Sequence, residues 1–171
     1  MTSDEAVEFS RPIALSQAHD HAVEEALEAL PDECGALAKR FDVRSISSVS
    51  AQLHVAPHAQ GFCVTGVVTA DVVQTCVVTG EAVAAHVEAP INVLLWTQEV
   101  EGDLDMLEEA YGVDDIEPIE SDDYDLGEMS AQYLALAIDP FPRKKGASLD
   151  AILPQRKTNP FSVLSQLKDK A

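Results

Sequence analysis

The sequence predicts an α+β fold: a curved antiparallel sheet, open to barrel-like closure, with one main amphipathic helix and a C-terminal tail. Three observations carry this reading. Phe62–Val78 and Ala82–Trp96 are dense in Val and Thr, whose β-branched side chains suit a pleated surface. Ser45–Val55 (SISSVSAQLHV) alternates polar and apolar residues, the pattern of a half-buried strand. Leu126, Met129, Tyr133, Leu136 and Ala137 recur at helical three- and four-residue steps.

In chain order, Val7–Leu15 reads as a first strand, with Pro12 favouring a sheet edge. Ala22–Leu30 (AVEEALEAL) is ambiguous: it holds strong helix formers, and a strand there is open but runs against propensity. Pro31 suits the first turn of a short helix over Asp32–Phe41, with Lys39 and Arg40 near its negative end. In Ser45–Val55 the inward positions are Ile46, Val49 or Ala51, Leu53 and Val55. Pro57–Gly61 is expected to turn, and Thr79-Gly80-Glu81 to close a hairpin between the two Val-rich strands, giving an antiparallel meander.

Residues 99–124 read as an acidic loop, with a short helix near Asp103–Ala110 and a short strand near Ile116–Ile119. Asp125 can cap the main helix, and Glu128 stands at the capping-box spacing. Pro140 ends the helix. Residues 1–142 then form one domain and 143–171 a basic, mobile tail, within which Val163, Leu164 and Leu167 suit a docking helix.

Charge is segregated along the chain. Net charge is −19, yet residues 45–142 contain 18 acidic side chains and no Lys or Arg, while residues 143–171 contain 7 basic and 2 acidic ones. A stretch without cations cannot wrap a nucleic-acid backbone, where affinity comes from replacing counterions. The acidic body is expected to attract basic proteins. Asp122 and Asp123 are its candidate contacts. Arg143, Lys144 and Lys145 are candidates for phosphate or an acidic partner, with Pro140 and Pro142 holding them out from the helix end. The plainer readings are that acidity serves solubility and that the cations offset the helix C-terminus and the acidic loop beside it.

No nucleophile–base spacing, phosphate-binding loop or dinucleotide fingerprint is present, so a non-enzyme is expected, with no cofactor. Cys63-Val-Thr-Gly66 and Cys76-Val-Val-Thr-Gly80 echo one another. A metal would need Cys63, Cys76 and two of His54, His58 and His86, whose spacing matches no structural zinc pattern. A small buried thiol followed by a glycine turn accounts for both echoes. His19 and His21 complete the histidines and show no catalytic spacing either. Three cysteines, an acidic opening without an apolar stretch and no run of about 18 apolar residues point to a cytoplasmic protein with no membrane association.

Four segments together resemble the YceD family of large ribosomal RNA accumulation proteins, also called DUF177, in its alphaproteobacterial form. They are Val72–Glu81 (VVQTCVVTGE), Asp125–Glu128 (DLGE), Leu134–Arg143 (LALAIDPFPR) and Asn159–Phe161 (NPF). The resemblance marks Cys76, Thr79, Gly80, Asp125, Gly127, Glu128, Pro140 and Pro142 as motif positions. Many relatives carry a C-x-R-C pattern where this chain has Cys76-Val-Val-Thr79, which weakens any metal role here. The resemblance also suggests a strand over Val23–Ala29. It implies a role in synthesis, processing or stability of large-subunit ribosomal RNA, through a basic ribosomal or RNA-processing protein. The alternatives are a direct RNA-binding module using the tail and a small metal-dependent enzyme.

Overall fold

A computed structural model describes residues 7–97 and 104–148. Five strands form one sheet in the order β2 (Val23–Glu28), β3 (Ser45–His58), β4 (Gly61–Thr75), β5 (Ala82–Trp96) and β6 (Asp115–Pro118). The first four pair antiparallel, as a meander should. β6 pairs parallel to β5, reached through the helix α2 (Leu104–Tyr111), so the sheet is mixed rather than wholly antiparallel. It is not closed into a barrel. β1 (Pro12–Ala14) and β7 (Asp123–Asp125) form a separate two-stranded pair. The first strand is thus shorter than Val7–Leu15, and a 3-10 turn takes over at Leu15–Ala18.

The segment at 22–30 is a strand, against its helix propensity. All six residues of β2 pair with β3, from Val23 opposite Val55 to Glu28 opposite Ser50. This pairing supplies partners to the β3 backbone and buries Leu27, which outweighs a propensity worth only tenths of a kcal/mol per residue. Glu24 and Glu28 lie exposed on this edge strand, where charge discourages pairing with another chain. α1 (Pro31–Arg40) follows directly, with Pro31 at its start.

In β3 a register shift between Ile46 and Ser48 changes the strand's parity. Ile46 before it and Val49, Ala51, Leu53 and Val55 after it therefore all face inward and are buried. They meet Val64, Val68, Ala70 and Val72 of β4 and Val87, Ala89, Ile91 and Val93 of β5. β3 and β4 run further than the sequence suggests, leaving only Ala59 and Gln60 between them. β4 ends at Thr75, not Val78, and the loop to β5 is Cys76–Glu81. Gly66, expected to turn, lies inside β4 opposite Leu53 and Ile91.

α3 (Leu126–Ala137) packs on β4, β5 and β1. It buries Leu126, Met129 and Leu134, each contributing on the order of 1.5–3 kcal/mol. Leu136, assigned to this face by spacing, is instead 85% exposed, and Ser130 and Ala131 are buried in its stead. A second cluster of Leu94, Trp96 and Ile116 packs with Leu107 of α2 and Val113.

Candidate functional site

The basic segment folds back onto the sheet rather than projecting from the helix. Gln74 donates from Nε2 to the Asp139 carbonyl at 2.7 Å, and Val77 N–H donates to the Pro142 carbonyl at 2.9 Å. Pro142 is buried. The prolines therefore shape a strap that lies along the β4–β5 loop, with Phe141 N–H turned onto the Asp139 carboxylate at 2.9 Å. Lys144 anchors its end: its ammonium sits 2.7 Å from Glu81 and its amide 3.3 Å from the Cys76 sulfur. Lys144 thus neutralises the β4–β5 loop and not the acidic segment. Arg143 and Lys145 on either side are exposed and have no hydrogen-bond or ion-pair partner among the described residues.

Cys76 opens that loop and is 1% exposed. Its sulfur accepts from the amides of Lys144 and Thr79, which hold the thiol down to about 7. Gly80, at φ +73°, lets the loop close, its N–H donating to the Cys76 carbonyl at 2.9 Å. The Arg44 guanidinium ties Thr75 Oγ1 and the Gly80 carbonyl together. Val77 in this loop and Phe141 in the strap are exposed.

The acidic segment sits at the opposite end of the long strands. The β4–β5 loop adjoins Ala82, whereas Asp115 pairs with Val93 and Glu117 with Leu95, eleven and thirteen residues further along β5. At about 3.3 Å per residue the two ends are roughly 36–43 Å apart along the strand. The segment is not one loop: it carries α2, β6 and β7, and its residues 98–103 lie outside the described residues. No carboxylate from Glu108 to Asp123 has a cationic partner among the described residues. The Tyr133 hydroxyl lies within reach of these carboxylates. Burial, with the carboxylates of Asp115, Asp114 and Glu117 nearby, pushes it up to about 12.

At this end two adjoining depressions share Phe62, Thr97 and Asp122. The larger, about 450 Å³, reaches Ser16, His19 and His58; the smaller, about 290 Å³, reaches Leu15 and Glu120. Asp122 is fixed in place because both its oxygens accept from Ser16, at 2.8 Å from N–H and 2.7 Å from the hydroxyl. Glu120 has no partner among the described residues. Asp123 lies outside this cleft, in β7 opposite Ala14.

The remaining motif residues brace the fold between the ends. Asp125 caps α3, accepting from Gly127 N–H at 2.9 Å and Glu128 N–H at 3.0 Å, and also holds Arg11 N–H at 2.7 Å. Glu128 does not complete a capping box. Its carboxylate grips the Arg40 guanidinium through two bonds of 2.6 and 2.7 Å, 88 residues away in sequence. Arg11 makes the same kind of paired contact with Glu33, at 2.8 Å. Spacing gives no signal for either pair, nor for the meeting of Phe62 with Glu120 and Asp122.

The candidate metal ligands stay apart. Cys63 lies within β4, Cys76 beyond the far end of that strand, and His54 and His86 bond to Glu24 and Asp71 at 3.0 and 2.8 Å. Among the described residues no three His, Cys, Asp or Glu side chains converge to hold an ion. No described helix is long and apolar enough to cross a membrane. Compared with known protein families, characterised proteins and solved structures, the chain matches none.

Proposed function

We propose that this protein is a non-catalytic factor in large-subunit ribosomal RNA accumulation that works by binding a basic ribosomal or RNA-processing protein at its acidic end. The observation that carries the reading is the set of carboxylates from Glu108 to Asp123, which no cation of the described chain neutralises. Such a surface steers cationic partners and gains from their charge on contact. The YceD-like segments supply the ribosomal setting. Those among the described residues lie at the strap and the α3 cap, which brace the fold, apart from the acidic end.

The test is affinity capture from lysate at low and high salt. A variant carrying Asp114→Asn, Asp115→Asn, Glu117→Gln and Glu120→Gln serves as the comparison, its folding checked by melting temperature. Ribosomal or RNA-processing proteins should be captured by the native chain, released by salt and lost with the variant. Capture that survives all four changes overturns the reading.

A second reading rests on Arg143 and Lys145, which are unpaired among the described residues and flank a strap bearing exposed Phe141. Here the basic end would touch RNA directly. Its signature is RNA affinity that falls steeply with salt and drops when Arg143 and Lys145 are changed to Ala, since two phosphate contacts are then lost. RNA binding unchanged by that double substitution removes it.

A further inference from the structure

The cleft beside β7 combines features that acidity alone would not produce. Its floor is apolar, formed by Phe62 and Leu15, both at least nine-tenths buried. Its rim carries two carboxylates in different states. Asp122 is immobilised by Ser16, whereas Glu120 is exposed and unpaired among the described residues. One wall is the His58 ring, held edge-on by Tyr111 at 5.5 Å, and Tyr111 in turn meets Trp96 edge-on at 5.6 Å. Aromatic faces, an apolar floor and a prepositioned carboxylate describe the surroundings of one kind of side chain: a long apolar stem ending in a flat cation.

We propose that this cleft receives an arginine side chain of the basic partner. The stem lies over Phe62, the guanidinium stacks toward the His58 ring, and its N–H groups donate to Asp122 and Glu120. Arginine fits better than lysine because its planar fork can stack and bond two carboxylate oxygens at once, while an ammonium is a more strongly hydrated point charge. This inference rests on the proposed function and specifies its contact. The cleft also has the room: its larger half alone is about 450 Å³. Charge complementarity favours a cationic occupant, since residues 45–142, which supply most of the lining, contain no Lys or Arg.

The experiment is calorimetric titration of the full chain with a tetra-arginine peptide, and with tetra-lysine as the charge-matched probe. Glu120→Gln removes the rim carboxylate. Glu109→Gln removes one charge from the same end but outside the cleft, because Glu109 is exposed on α2 and does not line it. Tetra-arginine should bind more tightly than tetra-lysine. Glu120→Gln should weaken it roughly tenfold, the value of one charge-assisted bidentate contact, and Glu109→Gln less than about twofold. Equal losses from the two substitutions, or equal affinity for the two peptides, would mean diffuse attraction and overturn the cleft.

A rise in peptide affinity on Arg156→Gln with Lys157→Gln would identify the chain's own tail as occupant and overturn it too. Two failures are distinguishable. If the cleft fails while lysate capture still depends on the acidic end, the proposed function stands without it. If capture survives loss of the acidic end, the proposed function itself falls.

Discussion

The backbone amide of Lys144 points at the sulfur of Cys76 from 3.3 Å, joining residues 68 positions apart. This contact, with the Thr79 amide beside it, makes one of three cysteines unlike the others. Burial pushes the Cys34 and Cys63 thiols above their ordinary value of 9.0, whereas amide donors hold Cys76 at about 7. Thiolate absorbance should therefore rise in two stages, one thiol near pH 7 and two above pH 9. Lys144→Ala keeps the amide and should leave the first stage in place. Lys144→Pro removes the donor and should move it upward. A single stage with all three thiols together would refute the assignment.

Gly127 explains how the N-terminal segment can lie across α3. A Cβ there would come within 2.5 Å of the Phe9 carbonyl oxygen and 2.9 Å of the Arg11 amide. Gly127→Ala should thus destabilise the protein although alanine is the better helix former, by about 1–3 kcal/mol as expected for overpacking. Chemical denaturation measures this. A stabilised variant would show that the segment does not pass so close.

The two leucines at the end of α3 should behave oppositely. Leu134 is fully buried, so Leu134→Ala should cost about 2–5 kcal/mol. Leu136 is 85% exposed, so Leu136→Ala should stay within about 0.5 kcal/mol. Met129, 3% exposed, sets the extreme: Met129→Asp should unfold the domain. Melting temperatures of the three variants decide, and equal effects of the two leucine changes would contradict the helix orientation.

Acid should unfold the protein through its braces. The Arg11 guanidinium holds Glu33 below its ordinary 4.5, and the Arg40 guanidinium does the same for Glu128. Burial opposes ionisation of Asp125, but bonds from Ser10, Arg11, Glu128 and Gly127 outweigh it and keep its carboxyl low as well. Each carboxylate is harder to protonate folded than unfolded. Stability from these groups is complete above the unfolded values and lost as pH falls through the folded ones. Melting temperature should hold from pH 7 to about 5 and then decline. Arg40→Gln should lower it at pH 7 yet flatten the decline. A parallel decline would show that the Glu128 pair contributes nothing to acid sensitivity.

Much of this fold was legible because local pattern and tertiary role agree. The Val- and Thr-rich strands, the Pro31 helix, the Asp125 cap and the short elements inside the acidic segment all follow from propensity and turn chemistry. Distant contacts decide where local signals are divided or point the other way. Residues 23–28 form a strand because the β3 edge recruits them, and Leu136 is exposed because the sheet meets α3 along Leu126, Ser130 and Leu134. Glu128 leaves the capping box for Arg40. For the candidate site, the acidic and basic residues were evident from composition, but not their placement. Lys144 is committed to Glu81, Asp122 to Ser16, and the cleft joins Phe62 to Glu120 across a gap that no spacing rule spans.

The length of β4 and β5 has a consequence for approach. With Arg143 and Lys145 unpaired at one end of these strands and carboxylates without a cationic partner at the other, the described part of the molecule separates charges of opposite sign along its length. Near a polyanion it experiences a torque before any contact forms. The Arg143–Lys145 end turns inward and the Asp114–Asp122 end outward. A protein of this shape docked on an anionic assembly would keep its acidic pole facing solvent, lending that assembly an oriented foothold for the next cationic arrival.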